Sequence, residues 1–418
     1  MSPPHTIAIV GAGLAGAKAA EGARDAGYDG RIVLVGAEAE LPYERPPLSK
    51  EVLRGEKPPE SARVHDPAFY EEHDIELLGG RTVVELDAHQ RELHLDGGER
   101  VPFSSAVLAT GSSPRRLGVP GHDLDGIHHL RTIGDSARLH DAAREAGRVA
   151  VVGAGWIGSE VAASLRQLGA AVVLIDPLTT PLQRVLGDEV GAVFATLHRS
   201  HGVELRMGVG VAELRGRGRV REVVLDDGSV EAADVVVVGI GVLPEVDVAQ
   251  RAGLRVEDGV VTDELLRTSA RGIFAAGDVA SAWHPHYRHH LRVEHWANAL
   301  HQGRVAGANA AGGSEVYDRL PYFFSDQYDL GMEYVGHHDP TDSLAVRGSI
   351  SDQRFVAFWH WHGRVSAALS VNTWDVIDDL KAIVGSPHPV DPARLVDPSV
   401  PLSEVAPLVP SGGSPAWW

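Results

Sequence analysis

Two glycine-rich turns carry the first chemical signal in this sequence. Gly11, Gly13 and Gly16 lie in TIAIVGAGLAGAKAA at 6–20, and Gly153, Gly155 and Gly158 lie in VAVVGAGWIGSEVAA at 149–163. Each Gly-x-Gly-x-x-Gly follows a β-branched apolar run and opens a helix of small residues. The chemistry that needs this pattern is the grip on a pyrophosphate. The first Gly allows the tight turn, the second lets the backbone approach the phosphates, and the third permits close helix–strand packing. Ala15 in the first turn, and Trp156 and Ile157 in the second, belong to the same surfaces. A second apolar strand follows each turn, Ile32–Val35 and Val172–Ile175, with an acid at or just past its end, Glu38 and Asp176. Such an acid hydrogen-bonds a ribose diol. One glycine turn can exist for packing alone, but two in the same strand–turn–helix context predict two dinucleotide-binding βαβ units.

The elements that must position these residues alternate along the chain. Its 418 residues suffice for two to four domains. Between the two units, Thr82–Leu86 and Glu92–Leu95 predict a small antiparallel sheet, and the strand Ala106–Leu108 leads into Ala109-Thr110-Gly111. After the second unit come strands at Val223–Leu225 and Val235–Val238, the latter leading into Gly239-Ile240-Gly241. Glycines at a strand end would let backbone approach a bound ligand closely. Ile273-Phe274-Ala275-Ala276-Gly277-Asp278 reads as an apolar strand ending in Gly-Asp, and RVEHWANALHQGR at 292–304 as a helix beginning near Trp296. From Leu320 aromatic residues cluster, strands are predicted at Leu344–Ile350, Arg354–Trp361 and Val365–Val371, and a helix at Trp374–Val384. The Pro-rich tail from Pro387 ends in SGGSPAWW, and its last ten residues are expected to be mobile.

Composition removes competing chemistries. The chain has no cysteine, which excludes disulfide reductases, thiolate nucleophiles and Cys-held iron–sulfur or zinc centres. A formal charge of -19 disfavours nucleic acid and anionic membrane as partners. The longest apolar stretch, Ala232–Leu243, contains Asp234 and is too short to span a bilayer. Because the first strand begins at Thr6, no signal peptide fits before it, and a cytoplasmic location is expected. Six histidines between His284 and His301 lack a regular ligand spacing; a solvated loop and no metal are expected. Asp176 also bears on cofactor choice. Its charge repels a 2′-phosphate, and the first cation after it is Arg184, so NADH is favoured over NADPH.

The two glycine units, Ala-Thr-Gly at 109–111 and Gly-Asp at 277–278 resemble a flavoprotein that binds two dinucleotides. Further motifs, LPYERPPLSK at 41–50, RVEHWANA at 292–299 and FFSDQYDLG at 323–331, narrow this. The chain resembles the FAD-dependent ferredoxin and rubredoxin reductases that serve bacterial oxygenases, from Ile7 to about Leu408. The resemblance implies an α/β fold with two Rossmann-like domains, as in glutathione reductase, and a C-terminal α+β domain. Its implied boundaries are residues 1–115 with 245–319 for FAD, 116–244 for NADH and 320–418 for the C-terminal domain. It also implies hydride transfer from NADH to FAD, then single-electron transfer to a small iron–sulfur ferredoxin or rubredoxin.

Residue roles follow from the same resemblance. Lys50 would sit by the reactive edge of the flavin, where a cation stabilises the anionic reduced ring. Glu160 would pair with Lys50 and with the nicotinamide amide. Arg45, Arg131, Glu294 and the backbone of Val83 are implied FAD contacts. Asp278 would accept from the ribityl chain, and Trp296 would bring helix N–H groups to the pyrimidine carbonyl. Arg304 is the candidate contact for an acidic partner. Two departures stand out. Gly36-Ala37-Glu38 replaces the usual Gly-Asp, moving the ribose acid to Glu38, and Phe324 stands where relatives carry tryptophan. The second reading is a redox-sensing flavoprotein like the apoptosis-inducing factors, which share the arrangement.

Overall fold

The computed structural model describes residues 5–405, so the SGGSPAWW terminus expected to be mobile lies outside the described residues. Contacts group the described residues into two compact units. Among the described residues, one takes those up to Arg184 with Phe194–Arg319, the other Val185–Val193 with those from Leu320 onward.

The first unit is built around two parallel five-stranded sheets of the same design. One has the order Ile273–Ala275, Ser105–Leu108, Thr6–Val10, Arg31–Gly36, Ile75–Gly79. The other has Glu204–Met207, Ala171–Asp176, Arg148–Val152, Val235–Val238, Ile127–His128. The central strands are continuous apolar runs because helices and loops cover both faces; Ile7, Ala8, Ile9, Val149, Ala150 and Val151 are all fully buried. Register then aligns the strand ends. Val10 lies opposite Val35 and Leu108, and Ala275 opposite Leu108. Val152 lies opposite Ile175 and Val238. Gly11, Gly36, Ala109 and Ala276 therefore emerge at one carboxyl edge, and Gly153, Asp176 and Gly239 at the other. Such edges are where open α/β sheets bind ligands. The chain passes between the sheets through an antiparallel pair, Ser112–Pro114 with Val242–Pro244.

Two helices lock the first sheet's crevice. Leu14–Asp25 follows the first glycine turn, and Trp296–Ala310 crosses it at very short range. A Cβ at Gly22 would overlap the Arg304 carbonyl oxygen, one at Gly303 the Ala15 oxygen, and one at Gly307 the Ala19 oxygen. The small residues of both helices thus exist to bring the backbones together, which sets where Trp296 begins its helix.

Two expectations change. The run from His284 to His301 is structured, not a solvated loop. Ala280–His284 and His289–Leu291 pair as an antiparallel hairpin, His295 caps the helix by accepting from Ala297 N–H, and His301 lies inside that helix. His284 is 3% exposed, and its Nε2 donates to the Arg319 carbonyl at 2.9 Å, which satisfies a polar ring that hydropathy alone would leave outside. Among the described residues no group of three His, Asp or Glu is placed to hold a metal ion. The strand before Asp278 stops at Ala275, and Asp278 stands in a 3₁₀ turn at Gly277–Val279.

The second unit carries a five-stranded antiparallel sheet ordered Tyr322–Gln327, Leu330–Gly336, Arg364–Val371, Arg354–Trp361, Ser343–Ser349. Leu380, Ile383 and Val384 of the helix Ile377–Val384 pack on it against Val335, Val356 and Phe358. The helix starts later than Trp374 because Asn372 and Asp375 adopt left-handed backbone angles, φ 47° and 61°. The molecule is thus α/β with a C-terminal antiparallel domain, as expected. Among the described residues no helix is long and apolar enough to cross a membrane.

Gly307→Val tests the helix crossing. It lowers the free energy of unfolding in urea by about 3 kcal/mol, because backbone, not a flexible side chain, must move. An unchanged midpoint would show that the two helices do not depend on this contact.

Candidate functional site

The two glycine turns share one steric logic. Gly11 has φ 109° and Gly153 φ 100°, and a Cβ on either would overlap a carbonyl oxygen of the neighbouring strand end, Ala109 or Gly239. A Cβ on Gly16 or Gly158 would overlap the carbonyl of Gly11 or Gly153. The protein itself therefore demands the first and third glycines. Gly13 and Gly155 differ, since a Cβ there would meet nothing within 4 Å. Both sit at helix N-caps with no side-chain capping bond and no acid in the first turn. Space beside uncapped helix N–H groups is what a dinucleotide phosphate requires, so the residues present fit FAD at one turn and NADH at the other. Ile157 and Ile240, 45% and 37% exposed, add an apolar surface beside the second turn, suited to a planar ring.

The strand-end acids are not equivalent. In register, Asp176 corresponds to Gly36, and a Cβ at Gly36 would crowd the Ala12 side chain. The first unit has no room for an acid there, and Glu38 stands two residues later. Glu38 accepts from Arg45 Nη2 at 2.8 Å and from the Tyr43 hydroxyl. Burial raises the Tyr43 phenol well above its ordinary range, so it stays protonated and donates. Arg45 also donates to Tyr43 at 2.6 Å and to the Arg131 carbonyl. Gly80 N–H donates to the Glu38 carbonyl and Arg81 N–H to that of Gly36, both at 2.9 Å, which ties the approach to Val83 to the acid's loop. Val83 itself is buried. The Asp176 carboxylate accepts from Ala154 N–H at 2.7 Å and Leu178 N–H at 2.8 Å, so it also shapes the second turn. Each of its oxygens retains a second lone pair.

Around Ala109-Thr110-Gly111, Asp278 and Arg131 meet. Asp278 Oδ2 accepts from Ser112 Oγ at 2.8 Å and Arg131 Nη2 at 3.2 Å. The same guanidinium lies over Gly111, where a Cβ would be 3.1 Å away. Burial pulls the Arg131 pKa down, and the Asp278 carboxylate opposes that shift. Arg131 also borders a cavity of about 480 Å³ lined by Arg116, His128, His129 and Arg138. Thr110 Oγ1 donates to the Glu245 carbonyl at 2.7 Å, securing the loop. Glu294 accepts from Arg292, which also pairs with Asp258 at 2.9 Å, just before the helix that Trp296 opens.

Lys50 and Glu160 come together from different βαβ units. Lys50 Nζ is 3.1 Å from Glu160 Oε1, and the side chains are 9% and 5% exposed. Ser49 Oγ donates to Glu160 Oε2 at 2.5 Å. The buried charges thus have partners on both carboxylate oxygens, without which such a pair would be strongly destabilising. Arg304 stands apart from this constellation. Its side chain is 61% exposed and lies 3.3 Å from Asp25. Phe324 lies on the strand Tyr322–Gln327 of the second unit. Ser49, Tyr43 and Ser112 are site residues that sequence reasoning missed. The first two stand inside LPYERPPLSK, where Arg45 and Lys50 drew the attention; Ser112 directly follows the Ala109-Thr110-Gly111 motif, which was the signal that could have found it.

Residues 5–303 match the pyridine nucleotide-disulphide oxidoreductase family and residues 322–406 the reductase C-terminal family. The anthranilate 1,2-dioxygenase system ferredoxin–NAD(+) reductase component of Burkholderia cepacia is 40% identical, over 94% of this chain and 97% of that protein. Putidaredoxin reductase of Pseudomonas putida is 35% identical, over 97% of each. The crystal structure of the ferredoxin reductase for the CYP199A2 system from Rhodopseudomonas palustris superposes with a TM-score of 0.93 at 35% identity, over 96% of this chain and 100% of that one. The covalent putidaredoxin reductase–putidaredoxin complex gives 0.92 at 35% identity, over 96% and 97%.

The two kinds of glycine separate experimentally. Gly155→Val leaves thermal unfolding of the nucleotide-free protein unchanged while weakening dinucleotide binding roughly tenfold or more. Gly158→Val, by contrast, lowers the melting temperature. Equal effects of the two on stability would contradict the open space at Gly155.

Proposed function

This chain belongs to the pyridine nucleotide-disulphide oxidoreductase family, and we propose that residues 1–115 with 245–319 bind FAD, 116–244 bind NADH, and 320–418 form a third, α+β domain. The protein is an NADH-dependent ferredoxin reductase, with FAD as its flavin and a small iron–sulfur ferredoxin as its partner. When bound, NADH and FAD supply the redox chemistry, a hydride passing from nicotinamide to flavin and the electrons leaving singly to the partner. The observation that carries this reading is the buried Lys50–Glu160 pair between two dinucleotide units in a chain without cysteine. No dithiol relay is available, so the flavin is the only exit for electrons.

The residues divide the remaining work. The glycine turns at Gly11–Gly16 and Gly153–Gly158 cradle the pyrophosphates, Glu38 and Asp176 take the ribose diols, and the Asp176 charge disfavours a 2′-phosphate. Arg131, held by Asp278, places a half-buried cation beside Ala109-Thr110-Gly111. Lys50 stabilises negative charge on the reduced ring, and the helix N-terminus at Trp296 acts in the same sense. Arg45, Val83 and Glu294 are further FAD contacts, and Gly239-Ile240-Gly241 contacts the nicotinamide half. Arg304 is a docking contact whose charge is shared with Asp25. The cytoplasm is the location proposed. A redox-sensing role finds no support among these relatives, whose names are those of reductases.

Cytochrome c reduction by NADH, with and without an added [2Fe–2S] ferredoxin, tests the function. Turnover of several per second or more that depends on ferredoxin is expected, with kcat/KM for NADH at least tenfold above that for NADPH. Slow NADH oxidation indifferent to the ferredoxin would contradict it.

A further inference from the structure

Ser49 stands at the join of the two dinucleotide units. Its side chain carries one proton and has two acceptors in reach, Glu160 Oε2 at 2.5 Å and the Pro46 carbonyl at 3.1 Å. A charged acceptor at the shorter distance wins that proton. Ser49 is 1% exposed and Glu160 5%, so no bulk water replaces the bond. Glu160 is therefore gripped at both ends, Oε1 by the Lys50 ammonium and Oε2 by the Ser49 hydroxyl. Two separate partners fix the plane of the carboxylate, and the carboxylate in turn fixes the ammonium.

The segment bearing Ser49 does not need that hydroxyl to stay in place. Ser164 Oγ, on the helix Trp156–Gln167, donates to the Ser49 carbonyl at 2.6 Å. Ser136 Oγ, on the helix Ile133–Glu145, donates to the Leu48 carbonyl at 2.9 Å. Arg54 reaches Ser164 Oγ at 3.3 Å. Backbone carbonyls anchor the segment, and the Ser49 side chain is left for the carboxylate.

We propose that Ser49 is a positioning residue for hydride transfer, orienting the Glu160 carboxylate so that it holds Lys50 beside the flavin. The proposal rests on the reading of Lys50 and Glu160 as residues of the redox site. It assigns the hydroxyl at 49 a role beyond packing: with only a methyl there, Glu160 Oε2 loses the Ser49 hydrogen bond, and the carboxylate is less firmly oriented toward Lys50.

Ser49→Ala, Ser49→Thr, Ser164→Ala and Glu160→Gln, each loaded with FAD, separate the possibilities. Anaerobic stopped-flow gives the rate of flavin reduction by NADH, and redox titration gives the flavin midpoint potential. Ser49→Ala is expected to slow reduction about tenfold, the scale of one hydrogen bond to a charged group. Its midpoint potential moves to more negative values, because the cation near the reduced ring is less firmly held. FAD content stays near wild type while the melting temperature falls by a few degrees, as loss of one buried hydrogen bond requires, and Ser49→Thr restores rate, potential and stability. Ser164→Ala, which loosens the segment and not the carboxylate, lowers the melting temperature without moving the potential. Wild-type rate and potential in Ser49→Ala, beside an impaired Glu160→Gln, would overturn the proposal and leave the site reading intact. An unimpaired Glu160→Gln would overturn both.

Discussion

A lysine and a glutamate buried together are expensive to desolvate, and they persist only where geometry is good and each remaining polar atom finds a partner. Lys50 and Glu160 meet that condition across the boundary between two βαβ units, the ammonium on one carboxylate oxygen and a hydroxyl on the other. Much of the first unit is arranged around keeping that meeting point fixed. The rigid Pro46-Pro47 turn delivers Lys50, and serines from two helices hold the turn by its carbonyls. The helix carrying Glu160 is located by Gly158, which permits contact with Gly153 that no larger residue could make. Close packing at the glycines and charge pairing at the junction are therefore one constraint seen at two scales.

Much of this was legible in the sequence, for a physical reason. Parallel strands covered on both faces must be apolar throughout, and a turn that approaches a neighbouring carbonyl must be glycine, so both leave strong marks in the residues. The repeated glycine pattern therefore located both crevices and the carboxyl edges at Ala109 and Gly239. Edge strands such as Ile127–His128 and Glu204–Met207 left no comparable mark, because short, half-exposed segments take their conformation from the strand beside them. The histidine run was misjudged for a related reason: a ring that donates to a backbone carbonyl is buried at little cost, which no hydropathy scale records. Ser49 was invisible because a serine hydroxyl acquires meaning only when folding brings Glu160 to it.

Charge tells a similar story of local over global. The net charge of -19 is the sum of many surface acids, whereas the site is organised by a few cations, Lys50, Arg45 and Arg131, each held by a named carboxylate or backbone carbonyl. In the proposed site those carboxylates would position the cations without abolishing the field that negative phosphates and a reduced flavin would meet. The missing cysteine acts in the same direction. With no thiol in the chain, the proposed electron path has the flavin as its single redox centre.

The most direct test is a double-mutant cycle on the pair itself, following flavin reduction by NADH in Lys50→Met, Glu160→Gln and the double variant. If the two residues act as one unit, the double variant is about as slow as the worse single variant, and the coupling accounts for most of either loss. Losses that simply multiply would show two residues acting independently, and would contradict the reading of Lys50 and Glu160 as one unit of the redox site.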